Sequence, residues 1–361
     1  MTYIQELAEG CGDRYFASDM IKAMKESPFV RVAGTASPER IAEVQEIYGT
    51  EFHTQVMGAL PPELANAIKQ TEIPASEKQI ESIELANSST NEYIRSLGLE
   101  SQDLPIQNFH LLPRPVYRAL SKGIPSEAHS NALFQGVFLD NDAFRDAPLS
   151  FYASMALREM VRLKGPSLIW ASEKGAEGKY GGLSQRRWGL RVPNARGGEG
   201  VDRMEGLEEA VITDIQKELF GKMFTNRLFK KEQDETSGQA EKGYKASLAQ
   251  KAGIPLDEIY RAVRDGSLLR SWRFPYYQPR VVLSYLINEI HKTHPDQFRE
   301  LPEVRKKFHT ARFTLDLVEV GRLINDTFGE KGLRTVAAMK SGLDPNPSAI
   351  KTLETLKSLR A

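Results

Sequence analysis

Arg158, Glu159 and Arg162 fall within five residues, Arg158-Glu159-Met160-Val161-Arg162, in a segment that is otherwise largely apolar. Positions four apart on an α-helix lie about 40° apart around its axis, so both guanidinium groups share one face. Phe151 and Met155 bracket them there, while Ala156, Leu157, Met160 and Val161 fill the opposite arc. A helix apolar nearly all round is a buried helix. Unpaired charges in that setting are costly, so the arginines must meet carboxylates or reach solvent through a cleft. Glu159 is one partner, and the acidic stretch Gly206–Asp214, which contains Glu208 and Glu209, is the candidate source of another. A guanidinium fork binds a carboxylate through two parallel hydrogen bonds, so this pattern supports an ionic staple between two helices. It also supports an acid/base pair, Glu159 and Glu209, whose pKa values the arginines would lower, which suits a base better than an acid.

The same five residues have the frame of the zinc motif H-E-x-x-H, in which two histidines bind the metal and the glutamate activates its water. Arginine holds both ligand positions here. It stays protonated and has no lone pair for a cation, so this helix cannot make the usual metal site. The segment Gly206-Leu207-Glu208-Glu209-Ala210-Val211-Ile212-Thr213-Asp214 is similar to the second motif of gluzincins, zinc metallopeptidases whose third ligand is a glutamate in an Asn-Glu-Ala-type helix. Position by position, Glu209 matches that third ligand, Glu208 replaces the asparagine, and Thr213 or Asp214 falls near the supporting acid. The resemblance spans about residues 130–232 and implies a zincin-like core with its former metal-ligand positions at Arg158, Arg162 and Glu209. It further implies a pseudo-metallopeptidase with no metal and no cofactor. Two arginines carry the same charge as the zinc ion they would replace. The partner implied is a peptide or protein, added in extended form along an edge strand expected at Gly136, Val137, Phe138, Leu139 and Asp140.

The surrounding elements must position these residues. The patterning predicts an α+β fold, a small mixed sheet with a packed central helix and many added helices, in three regions: 1–100 mainly helical, 101–235 the core, and 236–361 helical. Ser37-Pro38-Glu39 reads as a helix cap, and Glu77–Leu97 as a helix or two closed by Gly98. Strands are expected at Phe29–Val32, Ile106–Leu112, Phe134–Leu139, Ser167–Ala171 and Arg187–Val192, with glycine-rich loops at Lys174–Gly182 and Pro193–Gly200. A long helix is expected from about Met204 to Lys231, followed by a polar linker, Glu232–Gly243, and helices to the end, including Leu256–Asp265.

The chain has 361 residues, 40% of them hydrophobic, enough for a real core. Lysine plus arginine equal aspartate plus glutamate at 48 each, so no global field recruits nucleic acid or an anionic membrane. The absence of a long apolar run and of a leader pattern points to a cytoplasmic protein without a membrane partner. Cys11 is the single cysteine, which excludes an internal disulfide. Lys245–Gly266 resembles a helix-turn-helix of DNA-binding repressors, with Lys251, Arg261 and Arg264 as the contacts to nucleic acid. Asp257 and Glu258 at the leading end of the supposed reading helix oppose that role, and the alternative is a helical pair packed through Leu248, Ile254, Ile259 and Val263. Trp272, Arg273, Tyr276 and Tyr277 form an aromatic-basic cluster suited to core packing or to stacking a ligand.

Overall fold

The computed structural model describes residues 30–48, 60, 62–121, 126–131, 133, 135–173, 181–192, 202–314 and 316–360. Cys11, Phe29, Phe134 and most of the two glycine-rich loops lie outside them. Strand β1 (Val30–Gly34) leads into helix α1 (Pro38–Tyr48), where the Ser37 hydroxyl accepts from the Arg40 amide. Helices α2 (Pro62–Thr71) and α3 (Glu77–Ser96) follow. Ser76 and Gln79 form a reciprocal capping box at the start of α3, and Gly98, at φ +82°, stands just beyond its end. Next come β2 (Phe109–Leu112), α4 (Arg114–Leu120), β3 (Ala128–Asn131), β4 (Gly136–Asp140) and the short α5 (Asn141–Phe144).

Helix α6 (Leu149–Leu163) carries the Arg-Glu string, and β5 (Ser167–Ala171), β6 (Leu183–Trp188) and α7 (Glu205–Met223) succeed it. The remainder comprises α8 (Lys230–Ser237), α9 (Gln239–Ala252), strands β7 (Ile259–Asp265) and β8 (Leu268–Arg273), and helices α10 (Tyr277–Thr293), α11 (Leu301–Thr314), α12 (Leu317–Ala337) and α13 (Pro347–Arg360). The sheets run β1-β5-β6, β2-β4-β3 and β7-β8. β1 is parallel to β5 and β2 to β4, whereas β3, β6 and β8 pair antiparallel with their neighbours. Small mixed sheets among many helices make this an α+β fold.

Helix α6 packs against α3, α7 and β3, and every residue from Tyr152 to Leu163 is buried. Helix α7 is enclosed by α6, α10, α11, α12 and α3. The all-round apolar character of α6 thus becomes a central helix, and its charges face another central helix. The apolar cluster around them extends from Val30 to Leu356.

Four sequence expectations change. Gly136, Val137, Phe138 and Leu139 are not on an edge: β4 is the middle strand, bonded on both sides and buried throughout. A continuous apolar run suits an interior strand, whereas the edge, β3, reads Ala-His-Ser-Asn with alternate residues buried. The supposed linker Glu232–Gly243 lies largely within α8 and α9. Its polarity is that of a solvated helical surface, with Glu241 turned inward to accept from the Ala262 amide.

The segment 256–265 is no recognition helix either. A short 3₁₀ turn at Leu256–Glu258 passes directly into β7, and Gly266-Ser267 forms the two-residue connection to β8. Gly266 has φ +58°, which a tight hairpin turn demands and glycine supplies. Leu248, Ile254 and Ile259 do pack together, as a helix against a hairpin rather than as two helices. The last change concerns bounds: α7 ends at Met223, Ile106–Asn108 is a 3₁₀ turn, and β6 begins at Leu183, ahead of the expected Arg187.

Candidate functional site

Helix α6 presents Arg158 and Arg162 toward α7, one turn apart, with Glu159 beside them. Arg158, Glu159, Arg162 and Glu209 are 4%, 0%, 8% and 7% exposed. Arg162 is the hub. Its Nη1 donates to both oxygens of Glu159, at 2.8 and 2.7 Å, and its Nη2 to both oxygens of Glu209, at 2.6 and 2.7 Å. Arg158 Nη2 donates to Glu209 Oε2 at 2.8 Å and to the Tyr276 hydroxyl at 3.2 Å, while Nη1 lies 3.3 Å from Glu159 Oε1. Ser130, on the edge strand β3, donates its hydroxyl to Glu159 Oε2 at 2.5 Å. Two guanidinium groups and two carboxylates therefore form a closed, charge-balanced set in which both carboxylates are heavily bonded.

A second layer holds the hub in place. The Arg162 carbonyl accepts from Trp188 Nε1 at 2.9 Å and from Arg312 Nη2 at 2.5 Å. Arg312, fully buried, lies with Nε 2.8 Å from Glu208 Oε1, and Glu208 Oε2 accepts from the Leu190 amide at 2.9 Å. A Cβ at Gly165 would fall 1.4 Å from Arg312 Nη1, so that position must stay glycine for the guanidinium to reach. Lys164 ties the end of α6 to α3 through Thr90 Oγ1 at 2.7 Å and Asn91 Oδ1 at 2.6 Å, and burial pushes its ammonium down to about 7.

Glu208 and Glu209 thus serve different arginines. Asp214 leaves the cluster altogether. Five residues past Glu209 on a helix it turns to another side, where its Oδ2 lies 3.0 Å from His309 Nε2, and His309 Nδ1 meets the Tyr93 hydroxyl. Thr213 is fully buried and its hydroxyl has no hydrogen-bond partner among the described residues. Neither residue supports Glu209, contrary to the motif-based expectation.

Burial alone would raise the Glu209 carboxyl, but Arg162 and then Arg158 outweigh it and hold the group at about 2. In Glu159, burial is likewise overcome by Arg162, Arg158 and the Ser130 hydroxyl, leaving it below the ordinary glutamate value. Carboxylates held this low and bonded this fully are weak proton acceptors. The sign of the pH dependence follows. A carboxyl depressed by folding contributes stability that is complete above its unfolded value and is lost as pH falls through the folded one. For Glu209 the window runs from 4.5 down to about 2. The urea midpoint of the wild type is expected to drop across that window, and Glu209→Gln to lose part of the drop. Superimposable acid limbs for the two proteins would contradict the assignment.

A zinc ion does not fit this donor set. The two residues in ligand positions are cations without lone pairs, and the arginines occupy both oxygens of Glu209. Among the described residues, no group of three or more His, Cys, Asp or Glu is arranged to hold a metal ion. Of the basic residues read as nucleic-acid contacts, Lys251 and Arg264 are exposed, but Arg261 is buried against Glu235 at 2.9 Å and Glu241 at 3.2 Å. The three form no common reading face. No helix among the described residues is long and apolar enough to cross a membrane.

Beside the cluster opens a cleft of about 700 Å³, with Arg158, Met155, Phe151, Trp272, Arg273 and Tyr276 among its walls. The aromatic-basic cluster read from the sequence is split by the fold: Trp272, Arg273 and Tyr276 line this cleft, and Tyr277 lines a separate one with Asp214 and Arg280. Tyr276 stacks over Arg158, its ring centroid 5.1 Å from Cζ. Sequence reasoning placed no connection between Tyr276 and Arg158, and it missed Ser130, Trp188 and Arg312 entirely. Only Tyr276 carried a signal, its place in an aromatic run before a helix. Comparison with family models, with curated proteins and with solved structures yields no match.

Proposed function

We propose that this chain is a catalytically inactive, zincin-like protein that binds a peptide or a segment of a partner protein in the cleft beside Arg158. The observation that carries this reading is the charge-balanced set of Arg158, Glu159, Arg162 and Glu209, which sits where the resemblance puts a metal site and adjoins an open cleft. The guanidinium groups take over the cation's task of neutralising two buried carboxylates. They offer no Lewis acid and no activated water. What remains is a recess with aromatic walls and polar groups, the makeup of a binding site for apolar side chains with hydrogen-bonding backbone.

The location of the bound segment differs from the sequence expectation. Since β4 is central, β3 is an outer strand of that sheet with no second strand partner among the described residues, and Ser126 and Glu127, just before β3, line the cleft. An extended segment would run beside these residues toward Trp272 and Tyr276.

Two measurements test the proposal. The purified chain, incubated with zinc and then desalted, is expected to retain no metal at the cluster. Stoichiometric zinc that is lost in Glu209→Gln would overturn it. Peptides selected from a random heptapeptide display library against the full chain are expected to lose roughly tenfold in affinity, about 1.4 kcal/mol, in Trp272→Ala. Selected peptides that bind Trp272→Ala unchanged would move the binding surface elsewhere.

A further inference from the structure

Arg158 has an unused donor. The side chain is 4% exposed, yet its Nε has no hydrogen-bond partner among the described residues. Both other nitrogens are engaged with the glutamates, and Nη2 also reaches the Tyr276 hydroxyl. That last bond, at 3.2 Å, is the longer of the two Nη2 makes and lies at the outer limit for a good hydrogen bond. A buried donor without an acceptor is rare in folded proteins and calls for an explanation.

Tyr276 supplies one. It stacks over the guanidinium and also lines the cleft, so it stands between Arg158 and whatever enters. Its backbone is left-handed, φ 55° and ψ 42°, uncommon for a residue with a side chain. The chain immediately after it is pinned, because Asp344 accepts from the Tyr277 amide at 2.7 Å and the Gln278 amide at 3.0 Å. The start of α10 is therefore fixed, and what can yield is the tyrosine side chain.

We propose that Tyr276 is a displaceable cover and that the cleft recognises a neutral amide carbonyl carried next to an aromatic or apolar group. On binding, the carbonyl oxygen takes the place of the Tyr276 hydroxyl on Arg158, accepting from Nη2 and Nε, and the apolar group lies against Phe151 and Trp272. The charge balance selects the class of acceptor. Two guanidinium groups are already matched by two carboxylates, so a ligand carboxylate would bring an uncompensated charge into a buried site, and a carbonyl would not. This inference rests on the peptide-binding reading of the same cleft and names the atom through which the cleft recognises its ligand.

The test is calorimetric titration of the full chain with N-acetylphenylalaninamide and, separately, with N-acetylphenylalanine as its carboxylate. The amide is expected to bind, and the carboxylate to bind about fivefold more weakly or worse. Tyr276→Phe removes the competing hydroxyl and is expected to tighten the amide about threefold, because a larger fraction of the protein is then competent to bind. Arg158→Lys, which lacks Nε, is expected to lose the preference for the amide. Should Arg158→Lys fail to fold by circular dichroism, Tyr276→Phe decides alone. A carboxylate that binds as well as the amide, through Arg273 at the rim for example, overturns the proposal, as does a Tyr276→Phe protein with unchanged or weaker affinity. Heptapeptides that need Trp272 while the amide fails to bind would overturn this inference and leave the peptide-binding reading standing.

Discussion

Replacing Arg162 with methionine is expected to destabilise the protein by about 3–5 kcal/mol, since breaking a buried ion pair from one side leaves uncompensated charge behind. Arg162 makes four of the hydrogen bonds in the cluster, two to each glutamate, whereas Arg158, the other α6 residue bonded to Glu209, makes one to it. Glu159 would keep Arg158 and the Ser130 hydroxyl, and Glu209 would keep Arg158 alone among these groups. The contrasting experiment is simultaneous replacement of Arg158, Glu159, Arg162 and Glu209 by leucine or methionine. Removing both signs of charge together is expected to be neutral or to stabilise by about 1–4 kcal/mol, because the desolvation cost of four ions disappears along with their attraction. Urea unfolding at neutral pH measures both, read from midpoints with unchanged slopes. An Arg162→Met protein as stable as the wild type would show that the cluster does not hold α6 to α7.

Arg158→His/Arg162→His is expected to bind zinc where the wild type does not. The two histidines would stand one turn apart on α6, facing Glu209, whose carboxylate now touches both arginines. Without metal the double variant should be less stable than the wild type, because Glu159 and Glu209 lose their counter-charges. With zinc at roughly a thousand times its dissociation constant, binding to the folded state alone would return about 4 kcal/mol. The readout is a rise in melting temperature on adding zinc that EDTA reverses, absent in the wild type and weakened when Glu209→Gln is added. A double variant indifferent to zinc would place Glu209 outside any ligand geometry and remove the basis for the resemblance to metallopeptidases.

The zinc prediction and the stability prediction share one cause that was readable in the chain. The periodicity of Phe151–Leu163 required a buried helix, the spacing of Arg158 and Arg162 put both on one face, and burial of two cations required carboxylates from elsewhere. Glu209 was among the few acidic residues at the head of a helix in the right order. In the folded chain it lies within 2.8 Å of both arginines. The hairpin at 259–273 is legible too, although the helix-turn-helix-like pattern of Lys245–Gly266 points to a helix there. Ile259, Tyr260 and Val263 favour a strand, and Gly266-Ser267 between two apolar runs is a hairpin turn.

What the sequence by itself determined is local: the helical, buried character of α6, the shared face of its two arginines, the capped start of α1, the close of α3 at Gly98, and the demand for compensating charge. Those follow from neighbours within a turn or two of helix, where backbone hydrogen bonds and side-chain spacing decide the outcome. The apolar run of β4 suits an interior strand, but the tertiary structure decided that β2 and β3 are the strands that pair on either side of it. It also decided that Asp214 turns to His309, that Arg312 reaches the carbonyl of Arg162 from 150 residues away, and that Tyr276 covers Arg158. These partners are set by how α7, α10 and α11 pack around α6. Packing of that kind depends on the whole shape of the chain, and no short stretch of residues encodes it.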